Sequence, residues 1–159
     1  MEKVSTPEIK ETNWPEKTYL IKRAKLPIDQ LPSFFSTAYA QLYAALQNAG
    51  MQGSMPCAIY YTIDEAKKET DVAAAIPVNG PVPGNKNLDA VVLPASKVVS
   101  TTHYGSYESM ASSYAVLSEY MKTHRLKPEL TIEEYFTDPA AEPDPAKWKT
   151  GIHFLVKPL

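Results

Sequence analysis

The chain is poor in cysteine, in glycine and in concentrated charge of either sign. Its single cysteine, Cys57, cannot close an internal disulfide, which excludes the small stapled secreted scaffolds and fits a reducing cytoplasm. Glycine occurs six times and never as a phosphate-cradling loop; no Ser nucleophile elbow occurs either, and no cofactor is expected. Lys and Arg number 16 against 18 Asp and Glu, a net charge of −2 with no basic block, whereas a nucleic-acid surface needs clustered Lys and Arg. No apolar run approaches the roughly 18 residues of a membrane span. The N-terminus, MEKVSTPEIK, lacks the apolar core of a secretory signal. His103, His124 and His153 have no ligand spacing with another His, Cys or Asp, so no metal site is expected.

What the chain does have is 159 residues, 44% of them apolar, which is enough for one domain with a substantial core. Ten tyrosines and 14 prolines stand out. Tyrosine gives an apolar body with a polar tip, suited to lining pockets as well as filling cores.

Residues 1–16 are polar and read as irregular, with Trp14-Pro15 anchoring them to the body. A strand is expected over 18–24. Asp29 can cap the helix that follows, in which Leu31, Phe34 or Phe35, Ala38, Leu42, Ala45 or Leu46, and Ala49 recur at helical spacing before Gly50 ends it. Strands over 57–63 and 71–78 flank a charged hairpin, and Pro77 suits a strand end or edge, from which a dimer could form. Residues 79–87 are dense in turn formers and mark the internal boundary. Strands follow over 88–93 and 97–104, and Ser106 can cap a helix whose apolar face carries Tyr107, Met110, Tyr114, Leu117 and Met121. Strands over 131–138 and 148–156 complete the chain.

The two halves repeat one order of elements, with repeat one over about 15–78, the linker over 79–87 and repeat two over 88–159. Tyr60 aligns with Tyr135, 75 positions later, and Ala58 aligns with Glu133. A period this long is a duplicated supersecondary unit and not a solenoid. The expected fold class is α+β: a tandem βαββ repeat with pseudo-twofold symmetry, an antiparallel sheet with both helices on one face and a trough on the other. Alternation along 131–137 puts Glu133 and Tyr135 on one face. Tyr60 and Tyr135 should then meet across the axis, with one carboxylate, Glu133, beside them and only Ala58 as its counterpart.

Three stretches of the second half carry a family resemblance. They are His103-Tyr104-Gly105-Ser106-Tyr107-Glu108, Ile132-Glu133-Glu134-Tyr135-Phe136-Thr137-Asp138-Pro139, and Trp148-Lys149-Thr150-Gly151-Ile152. Pro56-Cys57-Ala58-Ile59-Tyr60-Tyr61 matches more weakly in the first half. In this order the motifs resemble the GyrI-like small-molecule-binding domain, also found as the effector-binding part of AraC-type and multidrug-responsive regulators. The resemblance implies a trough for apolar, often cationic, organic molecules, with Glu133 as its acidic contact. With no DNA-binding region before the domain, it implies a stand-alone member. Where many members follow the last Thr with an acid, this chain has Gly151, so a second acidic contact is expected to be missing.

The candidate ligand-binding residues are therefore Glu133, Tyr60, Tyr135 and Tyr107, with Trp14 and Trp148 closing the ends of the trough. Tyr114 and Tyr120 read as core or helix-surface residues, and Cys57 as a small buried apolar one. Three functions share this scaffold. The first is binding of a small apolar or amphipathic molecule, neutral or cationic, by a monomer or homodimer. The second is a hydrolase that opens a strained cyclopropane-type ring, with Glu133 as general base and Tyr135 assisting. The third is a protein-interaction module such as a gyrase modulator.

Overall fold

The computed structural model describes residues 8–80, 82, 88–138 and 141–158. The expected linker over 79–87 lies mostly outside these residues, as does part of the Pro-rich stretch after Asp138. Eight antiparallel strands form one sheet: β1 (Lys10–Trp14), β2 (Lys17–Pro27), β3 (Cys57–Asp64), β4 (Glu69–Val78), β5 (Asp89–Leu93), β6 (Ser96–Tyr104), β7 (Leu126–Tyr135) and β8 (Lys149–Pro158). Helix α1 (Leu31–Asn48) joins β2 to β3, and α2 (Met110–Thr123) joins β6 to β7. Neither helix receives the expected side-chain cap: 3-10 turns over Ile28–Gln30 and Tyr107–Ser109 lead into them instead.

The spatial order is β1-β6-β8-β7-β3-β4-β2-β5. It is symmetric about the β7–β3 junction, where the two repeats meet. There Ala58 faces Glu133 directly, the two positions that the internal repeat equates. The edge strands are exchanged: β1 pairs with β6 of the second repeat, and β5 with β2 of the first. Residues 10–14 are thus a strand and not irregular. The segment KETNW has no apolar alternation to reveal it; β6 supplies its partner groups. The strand with Pro77 is internal, between β3 and β2, so that proline sits at a strand end and not on a sheet edge.

Both helices lie on one face. Ala38, Leu42 and Leu46 of α1 pack on Leu20, Ala74, Ile76 and Val78. Met110, Leu117 and Met121 of α2 pack on Val99, Ile152, Phe154 and Val156. Strand register runs Ala74–Ala58–Glu133–Ile152 across the sheet, so Ala58 and Glu133 point to this same face. Small residues at 38, 58 and 74 are fully buried where α1 meets the sheet. The opposite face carries a second core of Tyr19, Ile21, Cys57, Ile59, Ile132 and Leu155, with Trp14 packed against it. Leu42→Ala should cost about 2–5 kcal/mol of stability in urea denaturation, because α1 cannot collapse into the space left.

Candidate functional site

A trough of about 1140 Å³ opens between the two helices, with the β3–β7 junction as its floor. It therefore lies on the face that carries the helices, and the expectation of a trough on the opposite face is corrected. The physical reason is spacing. Each helix covers the outer strands of its own repeat, and β3 and β7 at the centre are left uncovered between them. Phe35, Tyr39 and Tyr43 of α1 form one wall, and Met110, Ala111 and Tyr114 of α2, with Tyr107 before it, form the other. Among the described residues, three that line it are acidic, Glu133, Glu108 and Asp138, and none is Lys, Arg or His.

Glu133 is the centre of the floor and only 8% exposed. Tyr135 donates a hydrogen bond to its Oε1 at 2.7 Å, and Tyr114 donates to its Oε2. Tyr60 lines the trough with Tyr135, near enough to influence its hydroxyl. Burial pushes the Glu133 carboxyl above the usual carboxylate range; the two phenol hydrogen bonds and the nearby His103 oppose that shift without reversing it. Burial likewise raises the phenols of Tyr39, Tyr60, Tyr114 and Tyr135, and the Glu133 charge adds to it, so all four are protonated donors at neutral pH.

Tyr114, which the sequence alone reads as a core or helix-surface residue, is a trough residue. Its spacing on α2 is that of a core position, and its ring does lie 6.0 Å from that of Phe154. The signal that identifies it is the repeat: Tyr39 and Tyr114 stand 75 positions apart, like Tyr60 and Tyr135. The four tyrosines are two pseudo-symmetric pairs around one carboxylate. Tyr39, whose half has Ala58 in place of an acid, donates instead to the Cys57 carbonyl at 2.5 Å.

Tyr60, Tyr135, Tyr107 and Glu133 all line the trough. Tyr107 is 42% exposed, with its ring 5.9 Å from that of Tyr135 and 5.1 Å from that of Trp148. Trp148 is thus corrected from a lining residue to a backing one. Its indole donates to the Glu142 carbonyl at 2.7 Å, and its own carbonyl accepts from Gly105, the φ +126° residue that turns the chain toward α2. Trp14 is also corrected. It sits on the opposite face, 4.7 Å from the ring of His153 and under the Lys17 ammonium. The exchange of edge strands carries it there, away from the trough.

His103 is buried and bound three ways. Ser113 Oγ lies 2.8 Å from Nδ1, and Ser109 Oγ and the Ser106 carbonyl lie 3.0 Å from Nε2. It ties β6 to the first turn of α2, next to Tyr114. On the opposite face Ser100 Oγ, His153 and Glu134 form a row, at 2.7 Å to Nδ1 and 3.0 Å from Nε2 to Oε1. None of the three lines the trough, and Ser100 is held in mid-strand between β1 and β8, so the row reads as a brace between strands. Its hydrogen bond from His153 lowers the Glu134 carboxyl, opposite to Glu133 next to it. Cys57 is buried, its thiol pushed up to about 12 by desolvation, which leaves it unreactive.

Gly151 belongs to that opposite face. A Cβ there would meet His153 Nε2 at 2.9 Å and Phe136 Cε2 at 3.0 Å. Its being glycine therefore removes no acid from beside Glu133; it makes room for His153 to reach Glu134. Gly151→Ala should lower stability by about 1–3 kcal/mol in urea titration, because the imidazole must give up Glu134 to clear the methyl. Among the described residues no three His, Cys, Asp or Glu come together to hold a metal ion. No helix among them is long and apolar enough to cross a membrane.

Comparison with known proteins matches residues 7–157 to the family profile of the GyrI-like small molecule binding domain. No curated protein matches the chain. Among solved structures, the C-terminal domain of EcmrR is similar at 22% identity and a TM-score of 0.76, over 98% of this chain and all of that one. EcmrR in its DNA complex gives 20% identity and a TM-score of 0.82 over 96% of this chain; the present chain spans only 58% of that longer one. SAV2435 bound to tetraphenylphosphonium gives 15% identity and a TM-score of 0.67, over 94% of both chains. A Listeria innocua hydrolase encoded by lin2189 gives 15% and 0.68, over 94% of this chain and 92% of that one. At these identities the likeness is one of fold.

Proposed function

The chain belongs to the GyrI-like small-molecule-binding family, and from that we propose that it binds an apolar or amphipathic organic molecule between α1 and α2, over Glu133. One observation carries the reading: a buried carboxylate at the floor of an aromatic trough whose lining, among the described residues, holds no basic side chain. Such a floor favours cationic ligands over anionic ones. Tyrosine faces attract a cation by roughly 0.5–2 kcal/mol each, and the carboxylate supplies the full opposite charge. The tetraphenylphosphonium complex of a relative with this fold supports a lipophilic cation as the first ligand to try. The likeness to a domain of a DNA-bound protein fits an effector-binding role, and a lone buried thiol suits a reducing cytoplasm.

The test is thermal unfolding with tetraphenylphosphonium and with its neutral analogue triphenylphosphine oxide. A ligand at a hundred times its Kd should stabilise the fold by about 2.7 kcal/mol. No shift with either molecule, nor with other aromatic cations, would contradict the reading.

One observation favours a second reading, a hydrolase. A carboxylate with raised proton affinity and a phenol within 2.7 Å can take a proton from water and return one to a leaving group. Incubation with a cyclopropane-bearing electrophile, followed by mass spectrometry for added water, tests it. Equal turnover by Glu133→Gln would remove Glu133 as the base.

A further inference from the structure

Among the described residues, the lining of the trough holds the Glu133 carboxylate and no Lys, Arg or His. The groups that face Glu133 are Tyr114 from α2, Tyr39 from α1, Tyr60 from β3, Tyr135 from its own strand, Tyr107 from the turn before α2 and His103 from β6. Five of these are neutral phenols; His103 is hydrogen-bonded three ways in β6–α2 packing and does not line the trough. The other acids of the lining, Glu108 and Asp138, carry the same sign as Glu133. An ionised carboxylate only 8% exposed is costly in such a place until a positive charge arrives.

We propose that cation capture in this trough is a proton exchange, in which Glu133 gives up a proton to solvent as the ligand's charge takes its place. The inference rests on the binding function proposed above and specifies how it is regulated. The balance is simple: neutral carboxylic acid and free cation become a carboxylate–cation pair and one proton taken up by buffer. No bond other than the O–H is broken.

The hydrogen-bond chain accommodates both states. With Glu133 ionised, Tyr135 donates to Oε1 and Tyr114 to Oε2, the arrangement seen. With Glu133 protonated at Oε1, the carboxyl O–H donates to Tyr135, and Tyr135 turns its own O–H to Tyr60. Tyr114 keeps donating to Oε2. A phenol can donate or accept, so the Glu133–Tyr135–Tyr60 row can reverse, with half-buried Tyr60 at the end of it turning its own O–H to solvent in the trough. Lys or Arg in place of these phenols would hold the carboxylate ionised throughout and abolish the exchange. The upward push of burial on Glu133 agrees with this arrangement.

The experiment is calorimetric titration of the full chain with tetraphenylphosphonium, a cation with no proton of its own, across about pH 5 to about pH 9, at each pH in two effective buffers of unlike ionisation enthalpy. The buffer dependence of the heat counts the protons released. Release should approach one per ligand on the acidic side and vanish on the alkaline side. Affinity should rise by up to about tenfold per pH unit over the same window and then level. Glu133→Gln should bind with no release and no pH slope, and triphenylphosphine oxide should bind wild type without release. Tyr60→Phe, which removes the acceptor needed only by the protonated state, should move the release window to lower pH.

Tetraphenylphosphonium binding with a pH-independent affinity and no released proton would overturn the exchange while leaving the binding function intact. Equal release on binding the neutral oxide would also overturn it. Failure of both molecules to bind would overturn the binding function and the exchange with it.

Discussion

Glu133→Gln lowers affinity for tetraphenylphosphonium at about pH 8 by roughly 10- to 100-fold, or about 1.4–2.8 kcal/mol, and leaves triphenylphosphine oxide within a few-fold of wild type. Triphenylphosphine oxide keeps the phosphorus centre and three of the four phenyl rings without the positive charge, so a loss confined to the phosphonium follows the charge. Glutamine keeps the size of the side chain and a carbonyl oxygen for one of the two phenols, Tyr114 or Tyr135. The same substitution acts on the empty protein in the other direction. Burial raises the folded-state pKa of Glu133, so the wild type binds more protons folded than unfolded in that interval. Its stability is greatest below the unfolded carboxylate range and falls as pH rises through the folded value. Glu133→Gln has no such loss. Urea midpoints should therefore favour the variant on the alkaline side of that titration and converge on the acidic side. Equal ligand affinities, or a wild type that gains stability through this window relative to the variant, would show that the carboxylate is neither buried nor aimed at the ligand.

Ala58→Glu should be the most damaging single change on the trough floor, at about 4 kcal/mol or more. Ala58 is fully buried and faces Glu133 across the β3–β7 junction, so the substitution restores the symmetry that the duplicated chain has lost and sets two carboxylates side by side. Directly opposed residues have Cβ atoms about 4.5–5.5 Å apart, and like charges at that distance cannot both ionise at low cost. Each raises the other's pKa. By the linkage above, the loss should be smaller at about pH 5 than at about pH 8, where both would have to be charged. Circular dichroism melts of the variant at the two pH values check this. A variant as stable as wild type at both would mean that position 58 does not face Glu133.

That prediction depends on a relation readable from the amino-acid sequence: the alignment of Ala58 with Glu133 and of Tyr60 with Tyr135. The register places the first pair opposite each other, and both residues of the second line the trough. Periodicity located α1 and α2 to within a few residues, because each buries one regular apolar stripe. Other features were hidden for identifiable reasons. β1 is polar and owes its pairing to β6, more than 80 positions away along the chain. β7 begins at Leu126, five residues before the apolar alternation, because Pro128 sits at a bulge where no ladder bond is lost.

The side of the sheet that holds the trough could not be read from alternation. Alternation separates two faces without saying which one a helix covers, and here both faces are buried. Residues 133 and 135 belong to the helix-bearing face because Ala58 and Ala74 continue their row under α1, a fact of register and not of composition. Tyr114 escaped notice for a related reason. A tyrosine at a core spacing can pack its ring like a core residue and still deliver its hydroxyl to a carboxylate, and it does both.

A crystal structure of the chain with tetraphenylphosphonium is the most direct measurement. The account predicts the phosphonium between the Phe35–Tyr39 wall of α1 and the Tyr107–Tyr114 wall of α2, with Glu133 the nearest carboxylate beneath it. Ligand seated on the opposite face beside Trp14 and His153, with the trough unchanged, would contradict it.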